Sequence, residues 1–512
     1  MVLWLAVLLV APLVRARDYF STRHIQSLRE EVREMFTHAW TSYEQHAFPQ
    51  DALAPLSCIG VGPDYSDPLN TPRNDVLGDY GLTLIDTLDS FVLFNDTKGF
   101  AHALDMVRRY VDFDVATTVQ VFETTIRTLG GLLSAHAYAS QPALNFAVPG
   151  YDGFLLDLAV DLADRLMPAF DTPSGIPHPR INLRSGIGLP QLSKTCASGA
   201  ALIVEFGVLS NYTGDPQYID RAKSVFLDLW EKRSSLDLIG SSIDTVTGQW
   251  TYELTGVGAN TDSFYEYALK YYILFDDPQF LDIFNTGLAA LFKHSWNGLF
   301  FDNVHYRTGH KMVHWMDSLS AFFPGLLVLA GDIPNAVKNH LIFYKIWQAY
   351  GALPERWNQY RHQVSVNLPF YILRPEFIES TYFLFQATKD SFYLYVGEQI
   401  VRDLQQLMRV PCGFASLADV VSGRLEDKME SFFLSETLKY LYLLFDIDNP
   451  INHIDSNFVF STEAHPLFLF RNSTVPTRTD TAGSPNWTPR FAVLIRYELG
   501  TVLHARLHIH VP

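Results

Sequence analysis

The stretch Tyr371-Ile372-Leu373-Arg374-Pro375-Glu376-Phe377-Ile378-Glu379-Ser380 sets two carboxylates close together beside an arginine. Arg374-Pro375 reads as the entry to a helix, because proline's fixed φ and missing N–H suit a first helical turn. Glu376 and Glu379 then share one helix face. That face is otherwise apolar, with Phe377, Ile378, Tyr382, Phe383 and Phe385 around it. Two acids so placed are either ion-paired core residues or part of a site, where such groups donate and accept protons. The same pattern, an acid followed by a small hydroxyl residue and apolar or aromatic side chains, recurs. It appears at Glu123-Thr124-Thr125-Ile126, Asp262-Ser263-Phe264-Tyr265, Asp317-Ser318-Leu319 and Glu430-Ser431-Phe432-Phe433, with Asp86 and Glu205 in variant copies. Taken singly, acids such as Asp86, Glu205 and Glu266 read as buried hydrogen-bond partners.

The elements that carry these acids are helical. Residues 23–46 show helical periodicity through Ile25, Leu28, Val32, Met35, Phe36, Trp40 and Tyr43. After a Pro/Gly/Asp-rich loop over 48–78, the chain repeats a unit of apolar helix, Asp-bearing turn and second helix. The turns are Asn95–Phe100, Thr213–Tyr218, Phe275–Phe280 and Thr388–Tyr393, with a looser copy at Gly331–Pro334. Aspartate as N-cap, with proline at the first helical position, starts a helix by a known mechanism. About seven such hairpins, each with an acid at one end of its first helix, predict a closed all-α ring with the acids converging on one rim. The alternative, an open solenoid, requires polar capping repeats, which the sequence lacks. Short β-like segments at 241–253, 299–312 and 457–460 fit hairpins over the rim. The domain reading is 23–470 for the ring and 471–512 for a Ser/Thr/Pro-rich tail ending in alternating residues, either β or poorly ordered.

At 512 residues and 48% hydrophobic, the chain can bury a large core. A formal net charge of -17 argues against a nucleic-acid partner. Residues 1–16 read as a secretory signal peptide cut near Ala16, and no later stretch is apolar enough for a transmembrane segment. Sequons at Asn95, Asn211, Asn472 and Asn486 agree with the secretory route. Of three cysteines, Cys58 and Cys412 lie in Gly/Pro-punctuated loops and are the favoured disulfide. Cys196 reads as a buried helix residue.

Six ordered motifs resemble glycoside hydrolase family 47, the class I α-1,2-mannosidases, across roughly residues 23–470. They are Gly81–Asp86, Phe122–Arg127 with Leu129–Leu132, Thr261–Tyr267, Leu373–Ser380, Met429–Thr437 and Ser461–Pro466. The resemblance implies an (α/α)7 barrel of helical hairpins with a β-hairpin plugging one end. It also implies an inverting enzyme in which one carboxylic acid protonates the leaving oxygen and a carboxylate activates water. Glu376 matches the base, and Glu123 or Asp262 the acid. Arg127 lies one helical turn from Glu123, while Phe432 and Glu430 match positions near the sugar. Bound Ca²⁺ is implied, with Thr462 as its direct protein ligand and Glu379, Glu436 and Glu463 holding its waters. Asp317-Ser318-Leu319 and Phe322-Phe323-Pro324-Gly325 resemble the EDEM-type branch, where processing mannosidases have histidine in place of Ser318. That branch trims high-mannose N-glycans on misfolded glycoproteins in the endoplasmic reticulum lumen, often with a protein disulfide isomerase partner. A lectin-like receptor that binds mannose without turnover is the competing expectation.

Overall fold

The computed structural model describes residues 19–67, 69–189, 192–453 and 458–469. The expected signal peptide, the tail beyond 470 and the sequons at Asn472 and Asn486 lie outside the described residues.

Among the described residues, seven pairs of helices form the ring. The inner set is α2 (Leu82–Leu93), α4 (Gly130–Ser140), α6 (Ile203–Thr213), α8 (Asp262–Phe275), α10 (Phe323–Leu329), α12 (Glu376–Thr388) and α14 (Leu438–Phe445). The outer set is α1 (Thr22–His46), α3 (Thr97–Tyr110), α5 (Phe154–Leu166), α7 (Gln217–Glu231), α9 (Pro278–His294), α11 (Ile333–Tyr350) and α13 (Ser391–Asp403). Hydrophobic patterning sorts them. Every residue of α2 and α14 is buried. In contrast α3 buries only Phe100, Ala103, Leu104, Met106 and Val107, the single stripe of a helix with one face to solvent. The turn aspartates act as expected: Asp96, Asp277, Asp332 and Asp390 each accept a backbone N–H from the first turn of the next helix. The ring closes where α14 packs against α1 and α2.

A hairpin of Phe458–Phe460 and Pro466–Phe468 packs against α4, α6 and α8. Its tip, Ser461–His465, is held inside the barrel by two buried lysines. Lys439 Nζ donates to Ala464 O at 2.8 Å and Lys270 Nζ to Ser461 O at 3.3 Å. One rim hairpin forms at Ser242–Asp244 with Trp250–Tyr252, while Val304–His305 pairs with Leu254–Thr255 across the two helices between them. Cys58 and Cys412 are disulfide-bonded across a sequence separation of 354, tying the loop after α1 to the turn after α13.

Two details depart from the helical expectation. The inner elements carrying Glu123 and Glu436 run through π-helical turns, Thr124–Leu129 and Phe433–Thr437, which widen the backbone where side chains must be re-aimed. Cys196 ends a strand, Lys194–Cys196, rather than lying in a helix, because that segment pairs antiparallel with Ser242–Asp244.

Candidate active site

Glu123, Asp262 and Glu376 come from three separate inner elements, and each stands at its N-terminal end, where unpaired amides favour negative charge. All three keep partial solvent access, whereas Glu379, Glu430, Glu436 and Glu463 are buried. Thr462 at the hairpin tip is the other partly accessible member of the group.

Glu123 closes a single turn whose backbone N–H is capped by Gln120 Oε1 at 2.6 Å. Arg127 then grips it: Nε and Nη2 both donate to Glu123 Oε2, at 2.9 and 2.7 Å. The same guanidinium donates through Nη1 to Glu463 of the hairpin tip, so one buried arginine joins barrel wall and plug. The guanidinium stands over the Phe432 ring, with the Arg127 Cζ 5.2 Å from the ring centroid. Glu430 pairs with Lys428.

Asp262 opens α8. Its Oδ1 accepts Ser198 Oγ–H at 2.6 Å and the Ser263 N–H at 2.9 Å. Burial outweighs these two donors and pushes its carboxyl up to about 7. Glu376 opens α12 behind Leu373, whose φ of 68° is a left-handed conformation that a leucine holds only when its surroundings demand it. The clamp is visible: Thr437 Oγ1 donates to Leu373 O at 2.6 Å and Tyr371 OH to Arg374 O at 3.1 Å. Burial pushes the Glu376 carboxyl up to about 7 against the pull of Arg374, whose Nη1 is 3.6 Å from Glu376 Oε1. Asp262 lies near enough that its negative charge adds to the upward push on Glu376.

Glu355 was not singled out from sequence. It takes Arg374 Nε and Nη2 at 2.7 and 2.8 Å and accepts Ser318 Oγ–H at 3.1 Å. Burial alone would raise its pKa, but Arg374 outweighs that and holds it below the usual carboxylate range. Pro354-Glu355 echoes Pro375-Glu376, which is the signal that could have found it. Ser318, the position where histidine was the family alternative, therefore serves as a donor to Glu355.

Around Thr462 negative charge exceeds its local partners. Asp86 and Asp89 face His465, Asp89 also pairs with Lys439, Glu266 pairs with Lys270, and Glu205 accepts from Tyr267. Asp86, Glu205 and Glu266 are thus the buried hydrogen-bond partners the sequence suggests, and Asp89 joins them. Glu379 and Glu436 form no ion pair among the described residues, and burial with mutual repulsion holds both well above the usual carboxylate range. Among the described residues no three His, Cys, Asp or Glu side chains are placed to chelate a metal directly. The donor set thus fits a hard cation bound through threonine oxygens and waters, which buried, unpaired carboxylates could hold.

The remaining expected sites are scattered. Asn95 and Asn211 are exposed. Cys196 as a residue is half-buried, while its sulfur accepts the Gly199 N–H at 3.0 Å and burial pushes the thiol up to about 12. No helix among the described residues is long and apolar enough to cross a membrane.

Comparison with known proteins bears on the whole barrel. The model of glycosyl hydrolase family 47 matches residues 35–469. ER degradation-enhancing alpha-mannosidase-like protein 1 of Schizosaccharomyces pombe is 49% identical over 450 residues, 87% of this chain and 57% of that protein. Alpha-mannosidase I MNS4 of Arabidopsis thaliana is 44% identical over 447 residues, 86% of this chain and 70% of that one. The chain thus spans a little over half the length of the yeast relative. Among solved structures, the alpha-1,2-mannosidase of Trichoderma reesei superposes with a TM-score of 0.77 at 27% identity, covering 87% of this chain and 99% of that one. A barrel that aligns along almost all of a solved mannosidase, and a family model that spans hairpin tip and ring alike, lead to one conclusion: the chain belongs to glycosyl hydrolase family 47.

Proposed function

We propose that the chain is a Ca²⁺-dependent, inverting α-1,2-mannosidase that trims high-mannose N-glycans on misfolded glycoproteins in the endoplasmic reticulum lumen. The observation that carries this reading is the pattern of access: Glu123, Asp262, Glu376 and Thr462 reach solvent from four different elements while the acids behind them are buried. The endoplasmic reticulum and the mannoside are suggested by the relatives, an ER degradation-enhancing alpha-mannosidase-like protein and an alpha-mannosidase I, and the glycan class and lumen by the family resemblance of the six motifs.

Glu376 is the base that takes a proton from the attacking water. Its burial supports that role, since a carboxyl near 7 has the basicity to accept a proton at neutral pH. The proton for the leaving oxygen comes from Asp262 or, through Glu123, from a water. Both Arg127 donors occupy Glu123 Oε2, while burial pushes the Asp262 carboxyl up to about 7, so a direct donation suits Asp262 better. Arg127 orients Glu123 and steadies Glu463, and Phe432 backs the guanidinium toward the sugar. Thr462 is the residue proposed to bind Ca²⁺ directly, with Glu379, Glu436 and Glu463 holding its waters and Glu430 nearby. When bound, the ion would lower the pKa of a coordinated water and offset the repulsion among these acids.

The test is incubation of the full chain with a high-mannose glycoprotein and Ca²⁺, with a protein disulfide isomerase supplied, and mass spectrometry of the glycans. Release of mannose supports the enzyme. Glycan binding without release would make the protein a lectin-like receptor instead.

A further inference from the structure

The segment Thr195–Ala200 touches Asp262 and packs against the short turn that ends in Glu123. Ser198 is 2% exposed and reaches Asp262 twice over. Its Oγ–H donates to Asp262 Oδ1 at 2.6 Å, and its backbone N–H donates to Asn260 O at 3.1 Å, in the loop that delivers Asp262 to the head of α8. That loop is bent sharply, with Asn260 at a φ of 77°. Asp317 clamps it from the far side, where its Oδ1 accepts the Ala259 N–H at 3.2 Å. The segment also presses on the Glu123 turn: a Cβ placed on Gly199 would lie 2.8 Å from Cys196 Sγ and 3.8 Å from Phe122 Cβ. A larger side chain at Gly199 would have to displace the Cys196 sulfur.

We propose that Ser198 is a positioning residue for Asp262, fixing which oxygen of that carboxylate does the chemistry. Oδ1 accepts from both Ser198 Oγ–H and Ser263 N–H, so its lone pairs are engaged by donors. A proton carried by Asp262 must therefore sit on Oδ2. Rotation about the terminal side-chain bond would exchange the two oxygens, and the Ser198 hydroxyl opposes that rotation. Ser198 touches no reacting atom; it acts through Asp262. This rests on the reading of Asp262 as a catalytic carboxylate.

The experiment compares wild type, Ser198→Ala and Ser198→Thr on a high-mannose N-glycan, with thermal melting as the fold control. Ser198→Ala is expected to lower kcat roughly ten- to hundredfold, the range for losing a hydrogen bond to a charged group, with KM little changed. Ser198→Thr keeps the hydroxyl and is expected to restore most of kcat. A folded Ser198→Ala protein with wild-type kcat, or a loss carried wholly by KM, overturns the proposal. If wild type itself releases no mannose, the proposed function fails. The positioning role is then decided by a crystal structure of Ser198→Ala: a displaced Asp262 carboxylate upholds it, and an unmoved one overturns it.

Discussion

Glu376→Gln tests the catalytic base and the burial argument with one substitution. Glutamine matches the shape and removes both the charge and the ability to accept a proton. Loss of a general base costs about 10²–10⁴ in rate, so mannose release should fall by at least a hundredfold with glycan binding kept. Stability should move the other way. The Glu376 carboxyl stands at about 7 in the fold against 4.5 in an unfolded chain. The sign follows: a carboxyl whose folded pKa is raised weakens the fold as pH climbs from 4.5 through 7, because ionisation is resisted only in the folded state. At about 1.36 kcal/mol per pH unit the full penalty is about 3 kcal/mol. This is an upper bound, since 14% of the side chain still meets solvent beside Arg374. In EDTA, Glu376→Gln should therefore melt at the wild-type temperature near pH 4.5 and above it at pH 8. Release assays by mass spectrometry and melting curves at both pH values read the two effects. Near-wild-type mannose release would refute the role of base. Equal melting at pH 8 would refute the claim that burial, rather than a specific partner, sets this carboxyl.

Other consequences can be checked in the same assays. Wild-type mannose release should decline as pH drops below about 7, because the base must be ionised; a flat profile down to pH 5 would speak against Glu376 at about 7. Arg127→Met strands Glu123 and buried Glu463 without their shared cation, and breaking such a buried pair costs about 3–5 kcal/mol, read as a lower denaturant midpoint. Cys58→Ser opens the bridge across the 354-residue separation and should cost about 2–5 kcal/mol in equilibrium unfolding, with the barrel fold retained. Adding Ca²⁺ to metal-free protein should raise the melting temperature through Glu379, Glu436 and Glu463, and Thr462→Val should remove that rise. No shift on adding Ca²⁺ would count against the proposed ion.

The sequence alone determined the repeat and the chemistry types. Aspartate N-caps and apolar helices are local signals, set by hydrogen bonds and periodicity within a few residues, so the ring of hairpins and the acid at each inner helix head were legible. The disulfide followed from loop placement and low cysteine count, and Cys58 and Cys412 are joined as expected. The tertiary structure decided what each acid faces. Asp86, Glu205 and Glu266 look much like Glu376 in sequence, yet His465 and Tyr267 reach Asp86 and Glu205 from other elements, and Lys270 pairs with Glu266 one turn along the same helix. The π turns under Glu123 and Glu436, the left-handed Leu373, and the reach of Ser198 and Glu355 depend on packing between segments far apart in the chain. A carboxylate's protonation is set by burial and by charges a few ångströms away, and neither is a property of its neighbours in sequence. For that reason the motif around Arg374-Pro375-Glu376 announced a site and the family resemblance implied different roles for its two acids, while the folded barrel decided that Glu376 keeps partial solvent access and Glu379 is buried.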